Sequence, residues 1–340
     1  MTDAHDVDSP FQIRLRDWRS ILVRVFNRMM ADNLGVLAGG VAFYGFLSIF
    51  PAIAGALMVW GLFASGDVLL DQIQTLRAIV PADAFDLIAT QMVRIATQST
   101  GELQIGAIVT LLIALWSASR GAAALMGALN MAYHEKETRG FIKVNLLAFA
   151  FTLAGVFFVV LSLAAIGAVP PILESLFLGA FLEALVRIVR WLMMIGLFLA
   201  ACAAVYRFAP SRQHARWRWI IPGALAAALV WLSASVIFSA YLANFDAYNT
   251  TFGSLGAVAA LLMWFWLSAY AICMGAELNS QLELFTTKDT TEGAPKRPGH
   301  RGAYVADHIE NPETAEGPTP QAEDVTIPQD LERKGRARLG

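Results

Sequence analysis

The side chains that most often carry chemistry are thinly scattered along this chain. Its five histidines, His5, His134, His214, His300 and His308, include no pair at a metal-ligand spacing, so no metal site and no metal ligand is predicted. The two cysteines, Cys202 and Cys273, lie in apolar runs, where a thiol packs as a small hydrophobic group, and they give no disulfide framework. No phosphate-cradling Walker loop, G-x-S-x-G nucleophile elbow or carboxylate pair falls in an apolar run. Catalytic residues and cofactors are therefore expected to be none. A carboxylate at mid-membrane depth usually marks an ion-coupled pump, and the apolar runs hold almost none, which disfavours that mechanism too.

Polar and small residues near the ends of apolar runs remain as candidates for binding a substrate. Tyr44 and Ser48 precede Pro51, which either opens the backbone towards a cavity or kinks an ordinarily packed helix. Arg120 continues an apolar run in LWSASRGAAALMGALN, ahead of Asn130; it either pairs with Glu277 of GAELN or reaches alone to the interface. Asp246, Tyr248, Asn249, Thr250 and Ser254 cluster in FDAYNTTFGSLG, which reads as a binding mouth or as a polar hairpin turn. Gly35 and Gly39 make a small-xxx-small face for close helix contact, and Gly253 and Gly256 flank the hairpin, so these glycines and Pro51 are candidate structural residues.

The elements that position these residues follow from composition. Of 340 residues, 57% are apolar and only 15% charged, against about a quarter charged in soluble chains, which excludes a soluble globular enzyme. Stretches free of Asp, Glu, Lys and Arg run over 33–66, 103–119, 144–173, 191–206, 219–245 and 247–276. About 20 residues cross a hydrocarbon core of roughly 30 Å, so six transmembrane helices are predicted. Lys and Arg alternate across them, twenty-one on one side against four on the other, which puts both termini in the cytoplasm of a multi-pass inner-membrane protein. The first apolar run is too long for a signal-peptide core and no secretory leader is read.

Three further segments complete the layout. Residues 1–32 form a cytoplasmic N-terminal segment in which Phe11, Leu15, Trp18, Leu22, Val25 and Met29 mark one face of an amphipathic helix with five arginines on the others. That helix lies on the anionic leaflet or packs on the protein's own loops. The membrane domain spans 33–285, with two helices broken at Pro81 in a periplasmic loop at about 67–102. From Thr286 to Gly340 the chain holds six of thirteen prolines and few apolar residues, which predicts a disordered cytoplasmic tail. The fold class is thus all-α and polytopic, with no internal repeat of the inverted-repeat transporters.

Four of these segments carry a resemblance: DNLGVLAGGVAFYGFLSIFP (32–51), LWSASRGAAALMGALNMAY (115–133), YLANFDAYNTTFGSLGAVAALLMWFWLS (241–268) and GAELN (275–279). In this order they resemble the YihY/virulence factor BrkB family of bacterial inner-membrane proteins, over roughly residues 20–285. The resemblance implies six transmembrane helices and cytoplasmic termini. Members of that family once carried the label ribonuclease BN, regarded as a misassignment, and others are associated with serum resistance and the export of envelope lipids. Phe252 departs from the family pattern, which has tyrosine there, so any role for that hydroxyl does not transfer. The function expected is the handling or export of a lipid or other amphiphile in the cell envelope, with a non-transporting scaffold or assembly factor as the alternative. A ribonuclease is the weakest reading, because an acid–base pair facing a basic groove is missing from the sequence. The expected partners are membrane lipids, a second copy of the chain or other membrane proteins, and not nucleic acid. Reporter fusions at Thr90 and Ala215 should report opposite compartments; the same compartment for both would overturn the six-span layout.

Overall fold

The computed structural model describes residues 7–63, 100–167, 180–243 and 254–309, and among these the regular elements are helices. After a 3-10 turn at Pro10–Gln12 come α1 (Leu15–Ala31), α2 (Leu34–Phe63), α3 (Thr100–Ala132), α4 (Phe141–Gly167), α5 (Ala180–Phe208), α6 (Trp217–Ala243) and α7 (Ser254–Glu283), then a single helical turn at Tyr304–Asp307. Among the described residues, five helices are long and apolar enough to cross a membrane: α2, α3, α4, α6 and α7. A shorter apolar stretch, Leu192–Phe208, lies in α5 and corresponds to the fourth uncharged run. The second run grows from both ends into the 33 residues of α3, so that Arg120 lies well inside a helix and not at its edge. The loop predicted at 67–102 falls outside the described residues except for its last three positions, which open α3.

Helix α2 packs along α3, and α7 lies against both α6 and α2. Side chains of the long helices are buried mainly towards one end. There Met126, Leu129, Tyr133, Tyr206, Ile220 and Ala276 form one cluster, and Ile21, Val25, Met29, Trp219, Leu278 and Leu282 a second. Cys202 and Cys273 are free thiols buried one in each cluster. The single turn joining α1 to α2 works because Asn33 adopts φ 51°, a left-handed conformation that asparagine tolerates better than most residues. Helix α1 splits its predicted apolar face. Val25 and Met29, with Ile21, pack inward beside α7, while Phe11, Leu15 and Leu22 are exposed.

The prediction of a disordered tail from Thr286 onward fails over 286–309, which folds back on the bundle as a strap. Thr286, Thr290, Thr291, Arg301 and Val305 are buried in it. Composition misled because hydrogen bonds hold most of this segment, with Val305 among the few apolar residues buried near its end. The Arg301 guanidinium donates to the carbonyls of Thr287, Lys288, Lys296 and Ala306. Asp289 accepts from the backbone of Thr291 and Lys296, and Ala215 pairs with Thr291 in an isolated antiparallel bridge. The compact unit therefore ends at Ile309 and not at residue 285. Positions 310–340 lie outside the described residues.

The tightest helix contact joins α6 to α7 at Gly223 and Gly275. A methyl group on Gly223 would overlap the Gly275 carbonyl, and one on Gly275 would overlap the Tyr206 hydroxyl and the Gly223 carbonyl. Within a bilayer such close backbone approach is a main source of helix association, since lipid tails offer no hydrophobic drive. Gly40, by contrast, has open space around it. Gly275→Ala should destabilise the protein by about 1–3 kcal/mol in detergent melts. Gly40→Ala should be neutral or stabilising by about 0.5–1 kcal/mol, from helix propensity alone; equal effects at the two sites would refute the assignment.

Candidate functional site

Of the candidates on α2 and α3, Tyr44 lies in the contact between those helices. Gly121 of α3 packs on Tyr44, whose Cβ lies 3.4 Å from where a Gly121 methyl would stand. Ser48 is spent locally, its hydroxyl donating 2.7 Å to the Gly45 carbonyl one turn back. Helix α2 continues through Pro51 to Phe63. Gly35 and Gly39 face α7, but through rings: Trp266 and Tyr270 stand at ordinary van der Waals distance from Gly35, and the Trp266 Nε1–H donates 2.8 Å to the Gly35 carbonyl. The small-residue face thus admits an indole and not a second backbone. Ser254 and Gly256 open α7, while Asp246, Tyr248, Asn249, Thr250 and Gly253 lie outside the described residues.

Arg120 does not hydrogen-bond Glu277, nor does it reach the interface unaccompanied. Its Nη2 donates to Oδ1 of Asn145 on α4, and the Asn145 amide nitrogen donates 2.8 Å to the Phe141 carbonyl. Depth along the membrane suggested Glu277, but depth says nothing about which way round its helix a side chain projects. Arg120 projects towards α4, whereas Glu277 is fully buried at the far end of α7 and accepts 3.0 Å from Nε2 of Gln281.

Asn130 and Glu277 belong instead to a polar knot that ties the loops at the arginine-rich end. Asn130 Oδ1 accepts from the Ser211 amide at 2.7 Å, and its Nδ2 donates to Glu137 at 3.0 Å, stapling the α3–α4 loop to the α5–α6 loop. Glu137 also takes both the Nε and Nη2 of Arg139, and this pairing holds its carboxyl at a pKa of about 2. At the centre, Arg212 makes a two-pronged pair with Glu283, Nη1 at 3.0 Å and Nη2 at 2.7 Å, with side chains only 2% and 0% exposed. The Tyr133 ring covers the guanidinium at 4.9 Å and Thr290 of the strap donates to Glu283. Arg207 does the same at the rim, reaching Glu292 and the Ala215 carbonyl beneath the Trp217 ring.

Asn279 repairs a defect in α6. Pro222 lacks the N–H its helix needs and disturbs the bonds beside it. The Asn279 side chain accepts from the Gly223 amide at 2.7 Å and donates to the Ile220 carbonyl at 3.1 Å. It reaches them because Gly223 and Gly275 bring the helices together. Sequence reading found Asn130 and Glu277 but missed Tyr133, Arg212, Asn279 and Glu283. One signal was available: Glu277, Asn279, Ser280, Gln281 and Glu283 put polar side chains on every face of one helix end, and all five are fully buried. Chemically, Glu137, Glu283 and Glu292 are each bound to an arginine, so these three carboxylates serve to clamp loops. Among the described residues no three His, Cys, Asp or Glu converge as a metal site would require.

The family model described as virulence factor BrkB matches residues 25–300. The chain belongs to the virulence factor BrkB family. This BrkB-family membrane protein is similar to the ribonuclease-like protein YfkH of Bacillus subtilis (strain 168), 33% identical over 269 residues, 77% of this chain and 95% of YfkH. It also resembles a UPF0761 membrane protein of Xanthomonas campestris pv. campestris (strain B100), 39% identical over 82 residues, 24% of this chain and 19% of that protein. A UPF0761 membrane protein of Stenotrophomonas maltophilia (strain K279a) is 31% identical over 103 residues, 28% of this chain and 24% of that protein. The chain therefore matches less than a quarter of the length of these two longer relatives. No solved structure matches. The match to the BrkB family runs beyond α7 to residue 300, so most of the strap lies within it.

Removing one partner of a buried ion pair strands the other charge. Arg212→Met in this BrkB-family protein should cost about 3–5 kcal/mol, whereas Arg212→Met with Glu283→Leu should recover most of it. Thermal unfolding in detergent reads both; a single variant as stable as the wild type would show that the pair is not the clamp.

Proposed function

We propose that this membrane protein handles a lipid or another amphiphile in the bacterial inner membrane, crossing it six times with both termini and the arginine-rich end in the cytoplasm. The observation that carries the reading is Arg120, a cation held inside a membrane-spanning helix by a neutral amide. A cation on an apolar span is costly even where its stem can carry the head towards the interface, and it persists where a function uses it. Tyr44, packed against the residue next to Arg120, belongs to the same proposed path. The residues of the 246–254 segment form its other mouth in this reading. Asn130 and Glu277 drop out of the path, being engaged in the knot.

Two features support the orientation and the compartment. Arg139, Arg207, Arg212 and Arg216 gather with the strap at one end of the bundle, as the distribution of positive charge in cytoplasmic loops requires. Helix α1 leaves Leu15 and Phe26 exposed beside Arg16 and Arg19, the arrangement of a helix seated on an anionic leaflet. The reading is not enzymatic. The ribonuclease in the name of YfkH is not carried over: Glu137, Glu283 and Glu292 at the basic end are each tied to an arginine, and a nuclease needs an acid–base pair facing a groove. Lipids extracted from the purified protein should be enriched several-fold in one class relative to the host membrane by mass spectrometry. A profile equal to that of the bulk membrane would overturn the proposal.

A further inference from the structure

Helix α3 has one stripe that faces outward along its length. Leu112, Ile113 and Trp116 are 63%, 50% and 62% exposed, and Met131 at the far end 47%. These positions stand eight, seven and four residues before Arg120 and eleven after it, which is the spacing of one helix face. Arg120 is therefore a cation on the surface that α3 turns to the lipid. Asn145 sits among Phe141, Ile142 and Leu146 of α4, which are exposed in the same way. The two residues meet where the outward faces of α3 and α4 adjoin.

The guanidinium is only half satisfied there. Nη2 donates to Asn145, Nε is sealed off by the protein, Nη1 has no hydrogen bond among the described residues and is not enclosed, and no described carboxylate comes within ion-pair distance. Asn145 has spent its own donor on the Phe141 carbonyl, so it offers Arg120 a fixed oxygen but no charge. Asn145 is four residues past the first residue of α4, about 6 Å along the helix axis. The arginine stem thus delivers its charged head close to the end of α4, at the depth where the hydrocarbon gives way to headgroups. The end of the fork that carries Nη1 and the second Nη2 hydrogen stays available at that depth and matches a phosphate, which guanidinium binds through two parallel hydrogen bonds.

We infer that Arg120, oriented by Asn145, holds the phosphate of an anionic phospholipid headgroup at the seam between α3 and α4. The assignment rests on the proposed handling of amphiphiles, and adds the charge class of the cargo and the residue that reads it. The source of the phosphate is a lipid because the fork opens on the lipid-facing stripe.

The test is binding and not movement, so that it can fail independently. The full chain in detergent is titrated with phosphatidylglycerol or with phosphatidylethanolamine of the same acyl chains, and bound lipid is counted by native mass spectrometry. Wild type should prefer phosphatidylglycerol, and Arg120→Gln should weaken that binding about tenfold, the loss of a charge-assisted hydrogen bond. Arg120→Lys, which keeps the charge but not the fork, should lie between them. A wild-type protein with no preference overturns the inference whatever the variants do, as does a preference that survives Arg120→Gln. Inorganic phosphate that displaces the bound lipid would assign the site to a soluble anion and overturn the headgroup. Selective retention of a neutral lipid, independent of Arg120, would overturn the headgroup while leaving amphiphile handling in place.

Discussion

The guanidinium of Arg212 and the carboxylate of Glu283 are both shut away from solvent, and the arrangement of that end of the bundle follows from keeping them matched. A buried ion pair is tolerated only when geometry is good and remaining lone pairs are filled. Both carboxylate oxygens of Glu283 face the two Nη atoms of Arg212, Thr290 supplies another donor, and Tyr133 lays its ring over the cation. These partners come from the α5–α6 loop, the end of α7, the strap and the end of α3. The pair therefore fixes four chain segments at once, and the strap is ordered by what it contributes to that pair as much as by its own hydrogen bonds.

Such a knot can form only if the helices beneath it come close enough. The contact of Gly223 with Gly275 lets α6 and α7 touch through their backbones, and Asn279, one turn further along α7, then reaches the groups disturbed by Pro222. Proline in α6 and asparagine in α7 are thus one device split between two helices. In a medium that supplies no water to stray backbone groups, the proline is affordable only with its neighbour's amide in place.

Much of this was legible in the sequence and some of it was not, for identifiable reasons. Runs without charge give spans directly, because a bilayer penalises charge so steeply that little else can produce them. The partner of Arg120 was not legible, since span boundaries fix depth but not the angle around the helix axis. The strap was hidden because reading order from apolar content assumes burial as the organising force. In 286–309 the ordering comes from Arg301 and Asp289 bonding backbone groups within the segment and from Glu292 meeting Arg207, which is distant in sequence. Glu283 was overlooked because one acidic residue at a helix end looks like a solvated terminus until Arg212 is seen beside it. The cluster at 246–250 was legible as a pattern and lies outside the described residues.

Two arginines in this fold have opposite surroundings, and the contrast separates structure from function. Arg212 is enclosed, with a carboxylate on its fork and a ring on its face, and nothing in its environment is left for a ligand to supply. Arg120 lies on an outward stripe, with an uncharged amide on one nitrogen and a buried Nε lacking an acceptor. If the protein required only a helix contact at residue 120, an apolar side chain would serve α3 better, as it does at Trp116 and Ile113 on the same face. A cation kept in lipid with its charge uncompensated is stable only to the extent that an anion from the surroundings completes it. In the proposed orientation, the surroundings within reach of the end of α4 are headgroups.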